Sequence, residues 1–391
     1  AMAKVKLGII GVGNMGTGHS KNYLDGLMPE IEITAVADRN PARREWAKEN
    51  LPGVKVFEEG VDLIHSGACE AVLIATPHYQ HPPLAIEAFK NGLHVMVEKP
   101  AGVYTLQVRE MNAEADRHPE LTFGMMFNQR TNCVYRKAKA LIDSGALGEI
   151  KRMIWVVTDW YRTQSYYDAG AWRATWDGEG GGVLLNQCPH QLDLLQWLCG
   201  LPVRVRAACH EGKWHDIEVE DDVTAYLEFA NGATGTFIAS TGDALGENRL
   251  EIIGTRARIR IENDQLTLDT LSVDERDWCP VCKEPFGVPE IQHEIVQTDG
   301  ENPQHAGVLN AFAAHILHGT PLVADGREGI RGLMLSNAMH LSSWTGKPVS
   351  LPIDEGEFAR LLAEKRLHSR KKQVKEVTFA TDHSGTGRAE G

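Results

Sequence analysis

Short apolar runs alternate with amphipathic stretches over the first hundred residues, the rhythm expected of strands and crossover helices in a parallel sheet. Runs at 5–10, 31–37, 71–75 and 93–97 are rich in Val, Ile, Leu and Ala, and their apolar continuity suits strands covered on both faces. Between them, Asn40-Pro41 supplies a cap and a first-turn proline for a charged helix, and Pro82-Pro83 opens another segment that runs to Gly92. From about Met126 the rhythm changes. An amphipathic segment at 135–144 stops at Gly145, and strand-like runs follow at 151–158, 222–229, 234–240, 249–253 and 257–261. Asn231-Gly232 separates the second and third of these as a hairpin turn would. A later helix is predicted over 306–318, where Leu309, Phe312, Ala313, Ile316 and Leu317 share a face before Gly319 and Pro321 end it. No internal repeat is present, and the polar stretch from Lys371 onward reads as a tail.

Composition narrows the class. A chain of 391 residues, 42% apolar, is long enough for about two to three domains. Its net charge of −13 argues against nucleic acid, which needs a positive field. Seven cysteines, an odd number with no leader-like segment ahead of them, point to a reducing compartment. No apolar run reaches the roughly 18 to 20 residues needed to span a bilayer. The expectation is a soluble, cytoplasmic protein with neither membrane nor nucleic acid as partner.

The first strand runs into Gly11-Val12-Gly13-Asn14-Met15-Gly16, whose glycines permit a tight turn, close approach of a pyrophosphate and close helix packing. By itself this spacing is a weak signal, since glycine-rich turns without ligands exist. Asp38 follows the second strand, 22 residues past Gly16, where a carboxylate can accept hydrogen bonds from the adenosine ribose. That favours NAD, with Arg39 keeping NADP open as the less favoured cofactor. Thr76-Pro77-His78 and Glu98-Lys99-Pro100 follow the next two predicted strands. In an open parallel sheet those strand ends share one edge, and ligands bind there.

With these motifs, and with Ala75-Thr76-Pro77 followed by His81 and Gly180-Gly181-Gly182 leading to His190 and Asp193, the chain resembles the glucose-fructose oxidoreductase, inositol dehydrogenase and MocA family (Gfo/Idh/MocA). The likeness covers most of its length. It implies an α/β fold: an N-terminal Rossmann dinucleotide-binding domain over 1–125, then an α+β domain with an open, largely antiparallel sheet over 126–355. The second unit is expected to bind substrate, to support assembly as a homodimer or homotetramer, and to reach back to elements of the first. Residues 356–391 would form a C-terminal extension and polar tail. The resemblance further implies an NAD-dependent oxidoreductase that moves hydride between nicotinamide and a secondary hydroxyl of a sugar, glycoside or cyclitol.

In that family the lysine of the Glu-Lys-Pro motif reaches the reacting oxygen and the second-domain histidine acts in proton transfer, which implies Lys99 and His190 as catalytic residues. Chemistry requires both kinds of group, because hydride can leave a carbinol carbon only as its hydroxyl proton departs to a base, with a positive group stabilising alkoxide character. Which of the two is the base stays open. Gly11 to Gly16, Asp38, Arg39, Thr76, Pro77, His78, His81, Glu98 and Lys99 are the expected cofactor contacts. Where the family often carries an aspartate four residues before the histidine, this chain has Asn186, then Gln187. An amide cannot serve as a carboxylate base but can orient a hydroxyl, so both are expected to bind substrate.

Seven aromatics fall within the 22 residues from Trp155 to Trp176, against a chain average of 7%, with Arg162, Gln164, Asp168 and Arg173 interleaved. Rings with polar tips suit sugars, and equally a core or a subunit interface. Tyr166, Tyr167, Trp172, Arg162 and Arg173 are therefore candidate substrate contacts, joined by Asn128, Arg130 and Tyr135 after the domain crossover and by His305 before the later helix. Two other enzyme-fold uses remain open: a redox-neutral glycoside hydrolase working by oxidation, elimination, hydration and re-reduction, and a non-catalytic sugar sensor. Cys279 and Cys282 form half of a zinc pattern, with His293 eleven residues on. The second ligand pair is missing, so two reduced thiols and no metal are expected. The cluster Glu218, Glu220, Asp221 and Asp222 reads as a solvated acidic turn.

Overall fold

The computed structural model describes residues 2–375. Six strands, β1 (Val5–Ile10), β2 (Ile31–Ala37), β3 (Lys55–Phe57), β4 (Ala71–Ile74), β5 (His94–Val97) and β6 (Phe123–Met125), form one parallel sheet in the order β3-β2-β1-β4-β5-β6. The order reverses at β1, which pairs with both β2 and β4. A crevice therefore opens at the carboxyl ends of those strands.

Both faces of this sheet are covered. Alternating side chains send Ile10, Val72, Ile74 and Val95 towards Ala85, Ala88 and Phe89 of the helix His81–Lys90 and Val108 and Met111 of the helix Thr105–Asp116. On the other face Leu7, Ile9, Leu73 and Met96 meet Val308, Leu309 and Phe312. Those three residues belong to the helix Gln304–His318, so a segment from far down the chain completes the layer over the nucleotide-binding sheet.

The second sheet has nine strands: β7 (Ile150–Val157), β8 (Arg204–Glu211), β9 (Glu220–Glu228), β10 (Thr234–Ser240), β11 (Asn248–Gly254), β12 (Ala257–Glu262), β13 (Gln265–Leu271), β14 (Ile291–Ile295) and β15 (Val349–Ser350). Their order is β14-β13-β12-β11-β7-β10-β9-β8-β15, and every pairing except β7 with β10 is antiparallel. The Asn231-Gly232 turn joins β9 to β10 as expected. Sequence patterning misses β3, β6 and β15, which have three, three and two residues, too few to show a period. It also misses β14, whose residues are all exposed and leave no apolar alternation to read, and β8 and β13, in which only Val205 and only Leu266 and Leu268 are buried among exposed and half-buried neighbours.

Two further expectations change. The stretch expected to be a C-terminal extension and polar tail begins with a helix, Glu355–Leu367, whose Phe358 and Leu362 are buried. Residues beyond it run beside the loop 168–171, with the Lys372 and Lys375 amides donating to Ala171 O and Asp168 O, both at 3.0 Å. The rest of the predicted tail, from 376, lies outside the described residues. The acidic cluster is not a solvated turn either, because Glu220 and Asp221 are both fully buried. Asp221 accepts from the Lys213, Trp214 and His215 amides at 2.8 to 3.0 Å, which satisfies a carboxylate without water. Among the described residues no helix is long and apolar enough to cross a membrane.

Candidate active site

At the crevice, Gly11 sits at φ +96°, a conformation open to glycine, and a Cβ there would lie 2.6 Å from Ala75 O. A Cβ on Gly16 would approach Gly11 O to 2.1 Å, so the helix Asn14–Leu24 packs directly on the turn. That helix begins at Gly13 with neither a side-chain cap nor an acidic residue in its first turn. Asn14 is exposed and Met15 half-buried at its opening. Its terminal amides and the positive end of its dipole thus face a cleft of about 600 Å³, lined by Gly11, Gly13, Asp38, Arg39, Thr76 and Pro77 among others. Val12 is buried and spends its amide on Asp38 Oδ2 at 2.7 Å, while Asn40 N binds Oδ1 at 2.8 Å. Each Asp38 oxygen keeps a lone pair for a ribose hydroxyl. Thr76 Oγ1 is buried with no partner among the described residues. This donor set, with one orphaned hydroxyl, fits a dinucleotide.

Lys99 and His190 lie beyond that cleft along the same edge. Lys99 follows β5, held by the bond from its own amide to Glu98 Oε2 at 3.2 Å, and its Nζ donates to Asn186 O at 2.9 Å. His190 lies in the first turn of the helix Pro189–Cys199, is 3% exposed, and has an Nδ1 without a partner among the described residues. Burial, and then the charges of Lys99 and His305, lower its imidazole to about 3. It is therefore neutral at physiological pH. His305 is lowered to about 4, again chiefly by burial, and its ring stacks edge-on against His19 at 5.3 Å. His19 Nε2 meets Glu98 Oε1 at 2.6 Å. Burial alone would raise the Glu98 carboxyl, but the His19 bond and the nearby positive groups outweigh it and bring it to about 2.

Asn186 connects this centre to the aromatic segment. Its Nδ2 lies 3.5 Å from the Tyr166 hydroxyl, and the Tyr166 ring is flanked by the guanidinium groups of Arg162 at 5.2 Å and Arg173 at 4.3 Å. Arg173 and the exposed Trp172 line a second cavity of about 730 Å³ together with Arg39, His78, Tyr79 and Arg366. Gln187 is buried beside Asn186, its Nε2 unpaired. Asn128 donates to Gln304 Oε1 at 2.6 Å and keeps an unpaired Oδ1. The rest of the aromatic segment divides: Trp155, Trp160 and Trp176 are core, and Tyr167 turns its hydroxyl to Thr241 Oγ1 at 2.7 Å.

Several expected ligand contacts are also braces within the protein. His81 lies 2.7 Å from both Pro100 O and Thr76 O, buried between the two loops it joins. His78 Nδ1 reaches Glu179 O at 2.9 Å, and burial lowers its imidazole to about 3. Glu98 is committed to His19. Arg130, 4% exposed, makes a two-pronged pair with Asp193 at 2.7 and 2.8 Å, so its charge is spent inside the protein. Tyr135 is buried against Trp155 at 6.4 Å, on the core side of the second sheet. His293 is turned to Asp269 Oδ1 at 2.5 Å, away from any role with Cys279 and Cys282, which are free thiols.

One positioning group escapes sequence reading. Glu220 Oε1 accepts from the amides of Gly182 and Leu184 at 2.8 and 3.2 Å, and Oε2 lies 3.0 Å from His340 Nε2. It thereby fixes the short helix Val183–Asn186, whose last carbonyl holds Lys99. Tyr79, whose hydroxyl donates to Trp176 O at 2.6 Å, similarly fastens the loop after β4 to the second sheet's loops.

Family models match both halves. Residues 5–124 match the oxidoreductase family with an NAD-binding Rossmann fold, and residues 135–260 match the GFO/IDH/MocA C-terminal domain. The chain is 27% identical to scyllo-inositol 2-dehydrogenase (NAD(+)) of Bacillus subtilis over 66% of its own length and 74% of that protein. It is 23% identical to myo-inositol 2-dehydrogenase of Thermotoga maritima over 89% and 98%. Among solved structures, the WlbA dehydrogenase of Bordetella pertussis, in complex with NADH and UDP-GlcNAcA, superimposes with a TM-score of 0.75 at 26% identity, covering 90% of this chain and 100% of that one.

Proposed function

The chain belongs to the Gfo/Idh/MocA family of NAD-binding oxidoreductases, and from that premise we propose that it oxidises a secondary hydroxyl of a sugar, glycoside or cyclitol. NAD, when bound, supplies the hydride acceptor. His190, whose buried Nδ1 has no partner among the described residues, takes the hydroxyl proton as the hydride departs. Lys99, oriented by Asn186 O, donates a hydrogen bond to the reacting oxygen and stabilises its developing charge. Asn186 and Tyr166 hold neighbouring hydroxyls, acting as hydrogen-bonding groups and not as a carboxylate base.

The observation that carries this reading is the Lys99 to Asn186 bond, which holds an amine from the nucleotide-binding sheet on the turn four residues ahead of His190, whose charged form that amine disfavours. The Trp172 and Arg173 cavity favours substrates larger than one ring, since an exposed indole offers a face for a second sugar or an aglycone. Purified protein with NAD and a panel of inositols, aldoses and aryl glycosides tests the proposal through the absorbance of the reduced nicotinamide. Substrate-dependent accumulation of NADH is expected. Aglycone release without NADH accumulation would replace it with redox-neutral glycoside cleavage, and tight sugar binding with neither product would replace it with a sensor.

A further inference from the structure

Arg39 stands next to the ribose-binding acid, where an arginine can accommodate the extra phosphate of NADP. The structure gives that guanidinium another partner. Its Nε lies 3.1 Å from both carboxylate oxygens of Glu59, and the two side chains meet at the mouth of the adenosine end of the cleft. The backbone beneath them is fixed, because Arg44 donates to Asp38 O and Arg39 O at 2.9 and 3.0 Å and both Asp38 oxygens hold backbone amides. Asp38, Glu58 and Glu59 all line this end, with Arg39 between them. A ribose carrying a 2′-phosphate, with a charge of about −1.5 to −2 at neutral pH, would meet three carboxylates and one guanidinium already engaged.

We propose that Glu59 determines cofactor choice: it withholds Arg39 from a 2′-phosphate and adds its own repulsion, which restricts the site to NAD. Asp38 supplies the attraction for a free ribose, and Glu59 supplies the rejection of a phosphorylated one, a division in which discrimination comes from an unfavourable contact with the wrong ligand. The pair is exposed, with side chains 71% and 44% accessible. Removing one member therefore frees the other with little structural penalty. Glu59 precedes the helix Gly60–His65 without a side-chain capping bond, so its amide analogue costs that helix nothing of this kind.

The inference rests on the dinucleotide reading of the cleft but not on the identity of the alcohol, and binding alone tests it. The full chain is titrated with NADH and with NADPH, following nicotinamide fluorescence. NADH is expected to bind the more tightly, and Glu59→Gln to narrow the affinity ratio about tenfold by strengthening NADPH, the worth of a charge-assisted contact between Arg39 and phosphate. The gain should shrink as salt is raised. It should also vanish in Glu59→Gln combined with Arg39→Ala. A ratio unchanged by Glu59→Gln, or a gain that survives loss of Arg39, overturns the proposal. Failure of both cofactors to bind the unaltered chain overturns the dinucleotide site itself, a separate outcome.

Discussion

Lys99 and Asn186, 87 positions apart, are joined by a hydrogen bond of 2.9 Å that ties the edge of the six-stranded sheet to the turn ahead of His190. The bond uses the asparagine backbone, so the amine's position depends on the fold of residues 183–186 and not on the asparagine side chain. Replacing Lys99 by Met should lower kcat about 10²- to 10³-fold, the usual cost of losing one donor to a developing oxyanion. Steady-state kinetics on the best substrate of the panel would measure it. A loss below about tenfold would remove Lys99 from the reaction.

Arg130 and Asp193 predict a loss of stability without any contact with a ligand. The pair is buried, and the helix it anchors is the one whose first turn holds His190. Arg130→Met should cost about 3 to 5 kcal/mol in denaturant unfolding, because it strands a carboxylate in the interior. The double change Arg130→Met with Asp193→Leu should recover most of that. No recovery would mean that the arginine acts through packing.

Acid should weaken the protein well before carboxylates titrate. His78, His190 and His305 have folded pKa values of about 3, 3 and 4 against an ordinary 6.5. Below pH 6.5 the unfolded chain therefore binds protons that the folded chain refuses. This contribution is complete above 6.5 and falls as pH drops towards about 4 for His305 and about 3 for His78 and His190, at up to about 1.4 kcal/mol per pH unit for each histidine. Glu98 adds to the fall only below its ordinary 4.5, towards about 2. Thermal melts from pH 8 to pH 4 measure the slope, and a flat profile between 6.5 and 5 would contradict buried neutral imidazoles.

Much of the site was legible because its signals are local. A glycine turn, the acid after β2 and the Glu-Lys-Pro loop each sit within a few residues of the strand that places them. What could not be read is who meets whom across the chain. Arg130 offers the same guanidinium whether it faces a sugar or Asp193, and only packing assigns it. Glu220 reads as part of a solvated acidic run, yet it is buried because the amides of Gly182 and Leu184 need an acceptor there. The aromatic segment divides for the same reason, Trp155 going to the core and Trp172 to a cavity rim.

The helix Gln304–His318 closes one face of the nucleotide-binding sheet, and this bears on how the chain is made. A ribosome that has produced only the first half has made Leu7, Ile9 and Leu73 but not Val308, Leu309 and Phe312, with which they share a core cluster. Those partners stay missing until more than three hundred codons have been read and the late helix emerges from the exit tunnel. Chaperone capture, and any attempt to express the amino-terminal fragment alone, should register that delay.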